Sequence, residues 1–199
     1  MAGVVRDWRI EFMRAHPRIF PGPGAVLGYP ECGEGWCDLL DRACGRIEAA
    51  LAGNDTFTAL QIKEKYGTLR LYWRGRLPKE AEAKVEEAID LAEARSACTC
   101  EICGAEGRLH SRGDWLATAC LEHAEGEPVP IRPGFENLHI VRRFGAGGLQ
   151  TVSCRRYDRS TDAFVDVDPV SRNRGGVTWC PLSGTGGLPS CRHTSTFSI

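Results

Sequence analysis

The chain has 199 residues, 42% of them hydrophobic, with a formal net charge of −1, enough for one globular core and a small appendage. No apolar run approaches the ~20 residues a membrane-spanning helix needs, and Arg6, Asp7, Arg9 and Glu11 stand where a secretory signal would carry its apolar segment. The reading is a cytoplasmic protein with no membrane partner. In a reducing compartment its ten cysteines point to metal or buried thiols before a disulfide framework.

The predicted elements begin with a helix over residues 4–15, where Val4, Val5, Trp8, Phe12 and Met13 share one face and Pro17 ends the run. A Pro/Gly loop follows. From Gly35 a second helix carries Trp36, Leu39, Leu40, Ala43, Ile47 and Leu51 at helical spacing, closed by Gly53 and Asn54. Two β-rich runs then flank Tyr66-Gly67 and predict a β-hairpin. In its second run Leu69, Leu71 and Trp73 alternate with Thr68, Arg70, Tyr72, Arg74 and Arg76. Pro78 opens a third helix with a buried stripe at Ala81, Val85, Ala88, Ile89 and Ala92 and an acidic outer face. This helix feeds directly into the cysteine-rich stretch 98–104, "CTCEICG".

After Glu125 the character changes. Residues 1–125 hold 16 Lys and Arg against 20 Asp and Glu, whereas residues 126–199 hold nine Arg, no Lys and six acids. Neither balance is the strong positive charge typical of a nucleic-acid binder. "GEPVPIRPG" reads as a linker, "LHIVRRF", "LQTVSCRRY" and "AFVDVD" as short strands, and the tail from residue 183 as mobile. The expected organisation is a domain over 1–125 that includes a finger at 98–125, followed by a Gly/Pro/Arg-rich extension or small β region over 126–199. The fold class is α+β: helices packed on a β-hairpin, then a treble-clef-like or zinc-ribbon-like module, then an irregular β-rich or partly disordered C-terminal region.

The most specific motif is Cys100-x2-Cys103, sixteen intervening residues, then Cys120-x2-His123. A two-residue gap lets both donors of a pair converge on one ion, the second pair from the first turn of a helix. Three thiolates and an imidazole suit a tetrahedral Zn²⁺. Gly104 permits the turn after Cys103. We expect one structural zinc per chain, since four protein ligands leave no open position for a reacting water. Cys98 is the spare thiol; it could replace Cys100 through a C-x4-C gap, although the two-residue gap is the commoner one. Cys32, Cys37 and Cys44 read as buried structural thiols. Cys154, Cys180, Cys191 and His193 are a candidate second site with irregular spacing.

An HNH-like nuclease is the enzymatic alternative, with His110 between the ligand pairs, but no His-His pair and no Asn before Cys120 accompany it. P-loop, dinucleotide and nucleophile-elbow motifs do not occur, so no small-molecule cofactor is expected. The hairpin offers the other candidate site. If Lys63 and Lys65 lie beside Arg70, Tyr72 and Arg74, one face can contact phosphates while Tyr72 stacks on a base. The competing account is a solvated face neutralised by Glu64 and the acidic third helix.

In its wording and order, "CGEGWCDLLDRAC", "QIKEKYGTLRLYW" and "CEICGAEGRL…WLATACLEH", the chain resembles a group of small phage and prophage proteins. That group shares a Cys-Gly-acid-Gly-Trp helix start, a Lys-Glu-Lys-aromatic-Gly-x-Leu-Arg hairpin and a CxxCG…CxxH finger. The resemblance spans about residues 12–124. It implies a zinc-finger-like phage accessory protein working in a bacterial host cell, with no defined activity. The leading expectation is a non-enzymatic binding protein acting on nucleic acid as a small regulator. The alternative is an inhibitor that binds a host protein, for example a defence or nucleic-acid-processing factor, through apolar anchors such as Trp73.

Overall fold

Asp7 opens the first helix of the computed structural model, which describes residues 7–20, 22, 27–145, 148–166 and 196–198. Its carboxylate accepts the backbone N–H of Arg9 (3.0 Å) and caps α1 (Trp8–Ala15). The earlier start expected at Val4 lies outside the described residues. A two-residue strand, β1 (Pro30–Glu31), leads into a single 3₁₀ turn (Glu34–Trp36) and then α2 (Cys37–Ala50). The stripe read from the sequence is buried throughout: Trp36, Leu39, Leu40, Ala43, Ile47 and Leu51.

β2 (Thr56–Lys65) and β3 (Thr68–Arg76) pair antiparallel, and β1 adds to β2 in parallel, giving the order β1-β2-β3. Tyr66 and Gly67 both have positive φ (56° and 78°), as a two-residue hairpin turn with the right-handed strand twist requires. A bulge between Ala59 and Gln61 resets the alternation, so Ala59 and Ile62 are both buried although three residues apart.

α3 (Lys79–Ser96) packs against α2 and β3, and one core joins Trp36, Leu40, Ile47, Ile62, Leu69, Val85 and Ile89. A three-stranded sheet follows, ordered β5-β4-β6, from β4 (Arg108–Arg112), β5 (Trp115–Ala119) and β6 (Glu127–Pro128). The stretch expected as a linker therefore begins with a strand on β4, and Val129 N–H donates to the Leu109 carbonyl (2.9 Å).

The C-terminal strands β7 (Leu138–Gly145), β8 (Gly148–Asp158), β9 (Ala163–Asp166) and β10 (Thr196–Ser198) form a four-stranded sheet ordered β10-β7-β8-β9. It rests on α3. Leu91, Ala94, Cys98 and Tyr157 make a second buried cluster with Phe164 packed against it. Arg155 of β8 reaches both Glu87 and Asp90 of α3, at 2.5 and 3.1 Å. Two of the acids that read as a solvated outer face are thus half of a docking contact. Residues 167–195 and 199, including most of the tail expected to be mobile, lie outside the described residues. The architecture is mixed α+β, and no helix among the described residues is long and apolar enough to cross a membrane.

Candidate functional site

The Cys/His cluster sits where the chain leaves α3 and enters β4. Cys100, Glu101, Ile102 and Cys103 form a tight turn. Gly104, at φ 77°, lets its own N–H return to the Cys100 carbonyl (2.9 Å). The second pair follows β5 and is closed by a His123 N–H to Cys120 carbonyl bond (3.1 Å). It is a turn and not the helical start expected from the sequence, because β6 draws the chain back onto β4 within a few residues.

The four ligand atoms lie within 4.8 Å of one another. Cys103 Sγ is 3.7 Å from Cys120 Sγ, Cys100 Sγ is 3.7 Å from His123 Nδ1, and Cys120 Sγ is 3.2 Å from His123 Nδ1. A disulfide would need about 2 Å between sulfurs. A tetrahedral ion with metal–sulfur bonds of about 2.3 Å sets its sulfurs about 3.8 Å apart. The cluster can hold a metal ion. Burial alone would raise the Cys100 thiol, but the backbone N–H groups of Cys120, Cys103 and Ile102 outweigh it and bring the pKa down to about 6. The backbone is arranged to favour a thiolate, the form that binds metal.

Two segments far away in sequence hold this cluster in place. Gly33 N–H donates to the Glu101 carboxylate (2.9 Å), Gly35 N–H to the Glu101 carbonyl (2.9 Å), and Trp36 Nε1–H to the Thr99 carbonyl (2.9 Å). A Cβ on Gly35 would collide with the Cys100 carbonyl and with the backbone nitrogens of Cys103 and Gly104. From the other side, Thr118 Oγ1 donates to the Gly67 carbonyl (2.7 Å), docking the hairpin turn against β5. The Cys-Gly-acid-Gly-Trp stretch thus seats the CxxC turn, while the Tyr-Gly turn docks on β5.

The remaining thiols stand apart. Cys98 is buried, with Sγ 3.3 Å from the Arg95 carbonyl. Burial, with the Glu101 carboxylate adding to it, pushes the Cys32 thiol up to about 12, and burial likewise pushes Cys44 up. Cys154 lies in β8, while Cys180, Cys191 and His193 lie outside the described residues, and with them the candidate second site. His110 is 3% exposed, with Nδ1 2.9 Å from the Arg108 carbonyl, and is not among the clustered ligands. Its imidazole is turned into the protein.

The hairpin register places Lys63 opposite Arg70, Gln61 opposite Tyr72, Thr58 opposite Arg74 and Thr56 opposite Arg76. Lys63 Nζ lies 5.7 Å from the Tyr72 ring centre, and Lys65 Nζ 5.3 Å from the Tyr66 ring centre. Arg74 is exposed. Arg70 departs from the expectation. Its side chain is 13% exposed, bonds Thr68 Oγ1 and the Leu69 carbonyl, and lies 3.7 Å from the buried Glu93 carboxylate of α3. The helix end wraps the open edge of β3, where Ser96 Oγ accepts the Leu69 N–H (2.8 Å), and brings Glu93 with it. Trp73 is also engaged: it stacks on Phe57 (4.9 Å between ring centres) and donates Nε1–H to Glu86 (3.1 Å).

No protein-family model, no curated protein and no solved structure matches this chain. The site is therefore read from its own chemistry. Sequence reasoning gathered the four clustered ligands and the Lys63–Tyr72 pair. It missed the role of Gly33, Gly35 and Glu101 as the seat of the CxxC turn, and it left Arg76 out of the candidate partner surface although the alternation placed it on that face.

Proposed function

We propose that this is a zinc-stabilised binding protein of phage or prophage origin that engages nucleic acid through the β2–β3 face. Residues 98–125 form a zinc-ribbon-like module in which Cys100, Cys103, Cys120 and His123 hold one Zn²⁺. Three soft thiolates and one imidazole favour that ion, and the full ligand set gives it a structural role with no vacancy for a reacting water. The observation that carries the binding proposal is the face itself. Lys63 lies against Tyr72, Arg74 follows it along β3, and Lys65 and Arg76 stand towards the two ends of the same face; among the described residues none of the four cations forms an ion pair with a carboxylate. Cations around an aromatic ring on a sheet suit a single strand, whose phosphates pair while a base stacks.

The test is the affinity of the zinc-loaded protein for a labelled single-stranded oligonucleotide as a function of salt. Four neutralised phosphates give a slope of about −3 in log K against log salt, close to a fifty-fold loss between 50 and 200 mM. Lys63→Ala should lower that slope by about 0.7. Arg70→Ala is the wrong probe, because it strips the cation from buried Glu93. Salt-independent binding, or none at low salt, defeats the proposal. One observation favours a host-protein partner instead: Ile102 and Leu121, each adjacent to a clustered ligand, are 59% and 85% exposed. That reading predicts salt-tolerant capture of a host protein that survives nuclease treatment and is lost in Leu121→Ser.

A further inference from the structure

The open end of the β2–β3 hairpin carries a concavity of about 530 Å³ lined by Asn54, Thr56, Thr58, Arg74, Gly75 and Arg76. The register explains why these groups converge. Thr58 lies opposite Arg74 and Thr56 opposite Arg76, and residues two apart along a strand share a face. Two hydroxyl-bearing and two guanidinium side chains therefore project together, with Asn54 contributed by the turn before β2. Thr56 Oγ1 accepts the Arg76 N–H (2.9 Å), which pins the last residue of β3 to the first of β2. A Cβ on Gly75 would collide with the Thr56 carbonyl, so the two backbones meet here without an intervening side chain.

Two properties mark this end. Some arginines have carboxylate partners, Arg42 with Asp38, Arg46 with Asp162, Arg112 with Glu125 and Arg155 with Glu87, while Arg14 and Arg108 stand exposed and singly, without one among the described residues. Arg74 and Arg76 are exposed and, among the described residues, have none. Their positions two residues apart set their backbones about 7 Å apart along the strand, so both planar guanidinium forks can address one tetrahedral anion seated between them and the threonine hydroxyls. We infer that this concavity is a phosphate-binding subsite. Its phosphate belongs to the nucleic-acid strand that the β2–β3 face engages, with the neighbouring base toward Tyr72. The source of the phosphate rests on the proposed function; the anion chemistry rests on the pocket alone.

The experiment is a ¹H–¹⁵N NMR titration of the full, zinc-loaded chain with inorganic phosphate at constant ionic strength, repeated with a single-stranded oligonucleotide. The expected result is saturable shifting of the Asn54, Thr56, Thr58 and Gly75 amides by phosphate. Arg74→Ala and Arg76→Ala should each weaken it about tenfold, and Arg76→Lys by less because a point charge replaces the fork. The oligonucleotide should displace phosphate at the same amides. Shifts that fail to saturate, spread evenly over exposed arginines such as Arg108, or persist in both alanine variants overturn the subsite. An oligonucleotide that binds the two alanine variants as tightly as the parent also overturns it, while leaving the nucleic-acid reading standing. Phosphate binding with no oligonucleotide binding overturns the assigned source and the proposed function together, and leaves the anion pocket in place. Melting temperatures of the variants, expected within about 2 °C of the parent for exposed side chains, separate lost binding from lost folding.

Discussion

At its turn, the β2–β3 hairpin is pressed under the Cys/His module; at its open end it faces solvent. The contrast shows in what each end does with its polar groups. At Gly67 both backbone polar groups have protein partners: its N–H donates to Glu64 (2.5 Å), its carbonyl accepts from Thr118, and Leu109 covers it. Around Arg76 the guanidinium groups of Arg74 and Arg76 are left without carboxylates among the described residues, whereas Arg46 and Arg155 are paired. Desolvated polar groups must be satisfied for the chain to fold, so the turn end is explained by folding. Exposed, unpaired cations beside threonines are not required by folding, and this is the end where we propose that binding occurs. The single hairpin joins the two, so the Cys/His module braces one end of the strands whose other end carries Arg74 and Arg76.

The largest effect should come from the metal ligands. Cys100→Ser removes a buried ligand and should abolish stoichiometric zinc. Structural zinc supplies apparent binding free energies of about 10 kcal/mol in small modules, so amides of residues 32–36 and 98–123 should lose hydrogen-exchange protection, and those of Thr56–Thr58 should keep most of theirs. Loss of protection at both ends equally would break the comparison. Gly35→Ala comes next. Its Cβ would press on backbone atoms of the CxxC turn, 2.7 Å from Cys103 N among others, and backbone cannot swing away; a loss of about 3 kcal/mol by urea denaturation, with weaker zinc retention, is expected.

The C-terminal sheet offers a third probe. Asp162 accepts from Tyr157 (2.6 Å) and Arg46 (2.7 Å). Burial opposes its charged form, but the Tyr157 hydroxyl, Arg46 and Arg95 outweigh that and hold the carboxyl below its usual range. A depressed folded-state pKa means its contribution is fully present above the unfolded value near 4 and is lost as pH falls through the lower folded value. Asp162→Asn should destabilise by about 2 kcal/mol at neutral pH and flatten the acid limb of the stability profile. Smaller again, Gly45→Ala should stabilise by about 0.5–1 kcal/mol, because Gly45 lies inside α2 with open space beside it; beside Gly35→Ala it shows that glycine is required by contact and not by helix position. The smallest effect on stability belongs to Arg76→Ala, within about 0.5 kcal/mol, although that variant should weaken phosphate binding about tenfold.

What the sequence made legible follows the range of each interaction. The ligand set could be read because its spacing is local: two residues within each pair. The stripes of α2 and α3 could be read because helical periodicity repeats within a few residues, and Ala81, Val85, Ala88, Ile89 and Ala92 are all buried. The seat of the CxxC turn could not, since Gly33 and Glu101 are 68 residues apart; only the odd Gly-x-Gly spacing hinted that backbone must approach backbone there. Arg70 looked like its neighbours Tyr72 and Arg74 by alternation, yet Glu93 claims it from a helix that curls over the strand edge. The second buried face of α3 was hidden because Glu87 and Asp90 are charged, and Arg155, which neutralises them, arrives from β8. Leu91 and Ala94 lie under that contact. Charge at a helix surface signals exposure only until a partner of opposite charge is found.

The account depends first on a closed metal site, and X-ray absorption at the zinc edge of protein purified without added metal measures it directly. It predicts one zinc per chain with three sulfur ligands at about 2.3 Å and one nitrogen at about 2.0 Å. A fully folded chain without metal, or an ion carrying an oxygen ligand in place of one of these four residues, would contradict it.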